Sequence, residues 1–335
     1  VKVAIVNDMP MAVEALRRAL AYEPAHEVIW VAADGEEAVR RCAEQRPDVL
    51  LMDLVMPKMD GVEATRQIMA NTPCAIVIVT VDREQNLNRV FEAMGHGALD
   101  VVDTPAVGVG NGKEAAALLL RKIVNIGWLI GHRTEGPHAQ RAVQRDGMQP
   151  PGLVAIGSSA GGPAALETLL KALPATFPAA LVLVQHVDEV FAAGMADWLG
   201  TAACRPVRLA REGDRPQSGD ILLAGTNNHL RLTRDGTLAY TAEPVNEIYR
   251  PSIDVFFDSV ARHWQGRAVG VLLTGMGRDG AQGLKRMRER GHLTIAQDQH
   301  TSAVFGMPKA AVAIDAAVEV RPLEHIAPRL MDTFA

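Results

Sequence analysis

The sequence predicts two consecutive α/β units, each a mostly parallel, doubly wound sheet. Three observations lead there. Short apolar runs alternate with amphipathic stretches at helical spacing along most of the chain, the pattern of buried parallel strands covered by helices on both faces. The apolar runs end in acidic, hydroxyl or glycine residues, as strand-to-helix turns do. Between about 126 and 150 the alternation lapses into a polar stretch holding His132, His138, Arg141, Arg145, Gly147 and Pro150-Pro151, the composition of an interdomain linker. The expected division is therefore a first unit over 1–125, a linker over 126–150 and a second unit over 151–335.

The chain's 335 residues suffice for two domains. A net charge of −5 leaves no electrostatic footprint for nucleic acid. No apolar run reaches membrane-spanning length. Val1–Val6 is short and meets Asn7-Asp8 directly, unlike a secretory h-region. Cys42, Cys74 and Cys204 are isolated and read as packing residues of a reducing compartment. The expected location is cytoplasmic.

In the first unit, Val3–Val6 reads as a strand, followed by Asn7-Asp8-Met9-Pro10 and a helix with Val13, Leu16, Ala19 and Leu20 on one face. Val28–Ala32 is a second strand, and Asp34-Gly35 turns into a helix carrying Ala38, Val39 and Cys42. Val49–Met52 is a third strand, ending at Asp53, and a helix runs from Val62 to Met69. Ala75–Val79 is a fourth, ending at Thr80, with a helix over about Glu84–Met94 and a short fifth strand, Leu99–Val102, leading to Thr104-Pro105. A helix from about Lys113 to Leu129 places Leu118, Leu119, Ile123 and Ile126 on a stripe. The expected fold is flavodoxin-like.

Function in such sheets gathers at the carboxyl ends of the strands, here Asp8, Asp53, Thr80 and Thr104. Asp8 and Asp53 make a hard, oxygen-only site suited to Mg²⁺, and a carboxylate so placed can take a phosphoryl group. Any one of these residues alone would be read as a loop or capping residue. Together with Leu51-Met52-Asp53-Leu54-Val55-Met56-Pro57, Met59-Asp60-Gly61 and Gly97-Ala98-Leu99-Asp100, the segment resembles the receiver domain of bacterial response regulators. The resemblance implies Asp53 as phosphoacceptor, Asp8 and Asp53 as Mg²⁺ ligands, Thr80 as switch hydroxyl and a histidine kinase as phosphodonor. It also implies a cis bond at Thr104–Pro105. Two departures stand out. Asn7 replaces one of the usual acidic pair, and Thr104 replaces a phosphate-pairing lysine whose charge a threonine cannot supply.

In the second unit, Val154–Ile156 is a strand that runs into Gly157-Ser158-Ser159-Ala160-Gly161-Gly162 and then a helix. Such a turn can present a nucleophilic hydroxyl beside unpaired N–H groups, or simply cap the helix. Leu181–Gln185 is a strand ending at His186, followed by a helix over about Val190–Leu199. Strands are expected at Arg205–Leu209 and Gly219–Gly225, with a hairpin of Leu230–Leu232 and Leu238–Tyr240 around Asp235-Gly236. Arg250-Pro251-Ser252 opens a helix with Ile253, Val255, Phe256 and Val260. Val269–Leu273 is a strand before Thr274-Gly275-Met276-Gly277-Arg278-Asp279-Gly280 and another helix. Leu293–Gln297 and Val318–Val320 complete the strands.

Three strand ends thus offer Ser159, His186 and Asp279, and carboxyl ends of one sheet share an edge. A serine nucleophile, a histidine base and an aspartate that orients the imidazole make an acyl-transfer set. His229, placed in a polar loop after Thr226-Asn227-Asn228, is a competing base. The motifs at 155–162, Val184-Gln185-His186, Tyr249–Asp254, Leu273–Ala281, Ala296-Gln297-Asp298 and Val304–Pro308 resemble the catalytic domain of the bacterial chemoreceptor methylesterases, the CheB family (protein-glutamate methylesterase/protein-glutamine glutaminase). With the receiver and linker in front, the resemblance covers essentially the whole chain. It implies Ser159 as nucleophile, His186 and Asp279 as its partners and a backbone oxyanion role for Met276. The substrate class is then a glutamyl methyl ester on a chemoreceptor's cytoplasmic domain, with glutamine deamidated by some homologues, and the ester chemistry calls for no cofactor. It further implies that the unphosphorylated receiver restrains the active site. Ala160 departs from a frequent threonine. Asn7 and Thr104 resemble variants in chemosensory systems of the surface-sensing (Wsp) type. Two other classes compete: a response regulator whose second unit is a non-catalytic binding module, and a DNA-binding output domain, for which no basic recognition helix is evident.

Overall fold

A computed structural model of the chain describes residues 1–81, 83–105, 116–117, 119–124, 126 and 152–335, with backbone alone at 83–85. The chain divides into two compact units, Val1–Thr134 and Glu135–Ala335.

The first unit alternates β1 (Lys2–Val6), α1 (Pro10–Ala21), β2 (Glu27–Ala32), α2 (Gly35–Glu44), β3 (Val49–Met52), α3 (Gly61–Asn71), β4 (Ala75–Thr80), α4 (Arg83–Gly95) and β5 (Asp100–Asp103), with helical backbone at 119–124 (α5). All pairings are parallel in the order β2-β1-β3-β4-β5, the flavodoxin-like order expected. Every residue of the central strand β3 is buried, which is why it reads as an uninterrupted apolar run. Local chemistry sets the helix starts. Pro10 begins α1, Asp34 accepts the Glu37 N–H to cap α2, and Asp60 accepts the Glu63 N–H to cap α3. Ala116, Leu119, Ile123 and Ile126 are buried; Leu118, His132, His138 and nearly all of the expected linker lie outside the described residues.

The second unit contains β6 (Gly152–Ser158), α6 (Gly162–Ala172), β7 (Ala179–Gln185), α7 (Glu189–Ala203), β8 (Arg208–Leu209), β9 (Ile221–Leu223), β10 (His229–Leu232), β11 (Leu238–Thr241), α8 (Ile253–His263), β12 (Ala268–Leu272), α9 (Ala281–Glu289), β13 (Leu293–Gln297), α10 (Met307–Ala313), β14 (Glu319–Arg321) and α11 (Leu323–Phe334). Seven strands pair in parallel as β14-β13-β12-β6-β7-β9-β8, and β10 and β11 form the expected antiparallel hairpin. The chain passes from β6 to β7, out to the edge strand β8 and back to β9 between them, then crosses to β12 on the other side of β6. The winding therefore reverses between β6 and β12, where open α/β sheets bind ligands. Ile253, Phe256 and Phe257 of α8 are fully buried with Leu272, Leu284 and Met287.

Three expectations change. The strands at 205–209 and 219–225 shorten to Arg208–Leu209 and Ile221–Leu223; a turn closed by the Gln217 and Asp220 N–H groups, with Gly219 at φ +90°, takes the residues before β9. Helices α10 and α11 were not expected. The cis bonds among the described residues are Glu243–Pro244 and Arg250–Pro251. Thr104–Pro105 is not one of them and holds the trans form that X–Pro bonds ordinarily prefer.

Candidate active site

In the second unit, β12, β6 and β7 are adjacent, and their carboxyl ends carry Asp279, Ser159 and His186. The Ser159 N–H donates to the Thr274 carbonyl (3.0 Å) and the His186 N–H to the Ser158 carbonyl (3.0 Å), so backbone bonds tie the three turns together. Gln185 reinforces them from beneath. Its Oε1 accepts the Ser158 hydroxyl (2.6 Å), and its Nε2 donates to the Ser159 carbonyl (2.9 Å) and the His186 carbonyl (3.2 Å). A Cβ on Gly162 would come within 2.0 Å of Gln185 Oε1, and Gly161 before it sits at φ +72°, which accounts for the glycine pair after the serine. A Cβ on Gly275 would lie 2.8 Å from the Ser159 Cβ, so the turn bearing Met276 presses close to the serine. The backbone N–H groups of Ala160 and Met276 take no part in the hydrogen bonds of these turns.

His186 Nε2 meets Asp279 Oδ2 at 2.8 Å, and both side chains are almost wholly buried. The carboxylate is an acceptor, so Nε2 carries the proton and Nδ1 is the free, proton-accepting edge. Nδ1 is buried and has no protein hydrogen-bond partner, so a Ser159–His186 hydrogen bond is not closed in this state, as is common in resting active sites. The imidazole lies flat against the Tyr249 ring, centroids 4.3 Å apart and planes 5° from parallel.

Asp279 accepts four hydrogen bonds besides that of His186. Its Oδ1 takes the Ser252 hydroxyl (2.9 Å) and the N–H groups of Asp254 and Gly280 (both 3.0 Å), and its Oδ2 takes the Ile253 N–H (2.8 Å). Burial alone would push this carboxyl up; the His186 contact and the N–H donors of Ile253 and Asp254 outweigh it and hold the group below the ordinary carboxylate value. The donors at 253 and 254 belong to the first turn of α8, so the helix N-terminus faces the negative charge. Neighbouring Asp254 goes the other way: burial, then the Asp279 charge, pushes it up to about 6.

His229 is not in a polar loop. It begins β10 and is fully buried, its Nδ1 accepting the Ser252 N–H (3.0 Å) and its Nε2 facing the Pro244 carbonyl (3.2 Å). With both nitrogens engaged it holds Ser252 in place rather than acting as a base. Sequence reasoning gave no role to Gln185, Tyr249, Ser252 or Thr274, although all four lie inside the quoted motifs. Only Ser252 carried a readable signal, as a cap before a helical stretch.

In the first unit, Asp8 and Asp53 follow the paired strands β1 and β3. Asp53 Oδ1 accepts the Leu54 N–H (2.7 Å), and Asp53 Oδ2 accepts the Asn7 side-chain amide (2.9 Å). Burial raises the Asp53 pKa, and the Asp8 charge adds to it. Two oxygen donors whose mutual repulsion a divalent cation would relieve fit Mg²⁺; among the described residues no cluster of three or more His, Cys, Asp or Glu is arranged around a metal. Thr80 is buried at the end of β4, and its carbonyl accepts the Thr104 N–H. The Thr104 hydroxyl is buried without a partner. Lys58 pairs with Asp34, and Lys122 pairs with Asp100.

The comparisons agree with this architecture. Residues 154–330 match the model of the CheB methylesterase family, and residues 3–107 match the response regulator receiver domain. The chain is 74% identical, over 99% of both proteins, to "Protein-glutamate methylesterase/protein-glutamine glutaminase 3" of Pseudomonas savastanoi pv. phaseolicola. It is 75% identical, over 100% of this chain and 99% of the relative, to "Protein-glutamate methylesterase/protein-glutamine glutaminase of group 3 operon" of Pseudomonas putida. The crystal structure of the Thermotoga maritima CheB methylesterase catalytic domain superimposes with a TM-score of 0.51 at 32% identity, covering 56% of this chain and 100% of that one. Fold and site define a response regulator with a receiver unit followed by an α/β unit whose adjacent strand ends carry a serine, a histidine and an aspartate, the last two in contact. The chain belongs to the CheB methylesterase family.

Proposed function

We propose that the chain is a phosphorylation-regulated serine hydrolase that removes methyl esters from glutamate side chains of a chemoreceptor's cytoplasmic domain, with glutamine amides as a second substrate of the same site. Ser159 Oγ attacks the ester carbonyl and passes its proton to His186 Nδ1. Asp279, bound to Nε2, holds the ring in the required tautomer and stabilises the imidazolium. The free N–H of Met276, joined by that of Ala160, faces the developing oxyanion; one such donor typically contributes ~3 kcal/mol to lowering the barrier. The imidazolium returns its proton to the departing methanol, water enters through the same base, and glutamate is released from Ser159. The observation that carries this reading is the buried His186–Asp279 contact, which leaves Nδ1 as the free nitrogen on the edge that also bears Ser159.

In the receiver, Asp53 is the phosphoacceptor, Asp8 and Asp53 hold Mg²⁺, and Thr80 is the switch hydroxyl. The bound ion would offset charge on the incoming phosphoryl group. A histidine kinase is the phosphodonor, and the setting is cytoplasmic; among the described residues no helix is long and apolar enough to cross a membrane. The working boundaries are a receiver over 1–125, a linker over 126–150 and a catalytic domain over 151–335. The test is methanol release from methylated receptor with and without a small-molecule phosphodonor. Ser159→Ala should abolish release with the fold intact, and Asp53→Ala should keep basal release while losing stimulation. Full activity in the first variant, or stimulation in the second, refutes the respective assignment.

A further inference from the structure

A single hydrogen bond does not fix an imidazole. The contact between His186 Nε2 and Asp279 places one nitrogen but leaves the ring free to tilt about the N···O line, and such a tilt would carry Nδ1 off the nucleophile. Against the ring lies the phenol of Tyr249, 4.3 Å away and 5° from parallel. That ring is itself held. Gly277, at φ +82°, has no side chain, and a Cβ there would fall 3.0 Å from the Tyr249 hydroxyl. The phenol therefore lies against the turn that carries Met276. On the chain side, Tyr249 stands three residues before Ser252, which is fixed by both His229 and Asp279.

We propose that Tyr249 is a positioning residue for His186: its face keeps Nε2 on Asp279 and Nδ1 toward Ser159. The proposal rests on the reading of His186 as the base.

The experiment uses the full chain with methanol release from methylated receptor, for Tyr249→Leu, Tyr249→Phe and His186→Gln, each checked for folding by thermal melt. Tyr249→Leu should lower kcat ~10-fold with KM nearly constant, while Tyr249→Phe stays close to wild type on both measures. Nitrogen NMR of the imidazole should show the Nε2–H tautomer in wild type and a mixture in Tyr249→Leu. Wild-type kcat in Tyr249→Leu overturns the proposal. So does a loss carried in KM alone, which marks a substrate contact, and so does Tyr249→Phe failing as badly as Tyr249→Leu. His186→Gln separates the two readings. If it is inactive while Tyr249→Leu is normal, only the positioning role falls; if it is active, the base assignment falls too.

Discussion

Gln185 shows how much one side chain can decide at this site. Its carboxamide accepts from Ser158 and donates to the carbonyls of Ser159 and His186, all in nearly water-free surroundings. Gln185→Glu keeps the shape but turns the two donor contacts into a carboxylate facing two carbonyl oxygens. Buried polar groups stripped of partners cost about 1–3 kcal/mol each, and more when charged. The variant should therefore unfold at clearly lower urea concentration and release methanol at least ~10-fold more slowly, whereas Ser158→Ala, which leaves both carbonyls satisfied, should do neither to that extent. Equal midpoints for the two variants would contradict the bracket. The sequence displayed Gln185 beside His186 but could not show this role, because the bonds run across two strands that only the sheet brings into register.

Helix α8 is the element that builds the acidic member of the site. Its first turn turns two N–H groups toward Asp279, and its cap Ser252 adds a hydroxyl. Asp279 thus faces the N-terminus of α8 while standing just before α9 in the chain. The same turn contains Asp254, whose carboxyl is raised by burial and by the Asp279 charge. A folded-state pKa above the unfolded one means that the native state binds the extra proton between the ordinary carboxylate value, near ~4, and about 6. Wild-type stability therefore falls as pH rises through that window. Asp254→Asn removes the titration while its side-chain oxygen can still accept the Gly283 N–H. Its advantage over wild type should be small at the acidic end, grow toward pH 6 and then level off, on the order of 2 kcal/mol. Denaturant melts across the range check this, and a stability difference independent of pH would contradict it.

For the molecule as a whole, the receiver's departures matter most. Thr104, at the position where the resemblance to receivers implies a phosphate-pairing lysine, has a buried, unpartnered hydroxyl, and Lys58 and Lys122 are each committed to another carboxylate. If Asp53 is the phosphoacceptor, Thr104→Lys should increase the extent or persistence of phosphodonor-stimulated methanol release without changing the basal rate; no change in stimulation would show that this position is uncoupled from phosphorylation. Most of the architecture was legible in the chain itself. Strand runs and capping residues gave both doubly wound units, and the strand ends offered Ser159, His186, Asp279, Asp8 and Asp53 as candidates, because periodicity and turn chemistry are local. What the tertiary structure decided was which groups meet. It set which imidazole nitrogen faces Asp279, moved His229 from an expected loop into the core behind Ser252, and laid Tyr249 on the ring. His186 and Asp279 lie 93 positions apart in the chain. Their contact follows from β12 returning beside β6, an order of strands that the spacing of apolar residues does not encode.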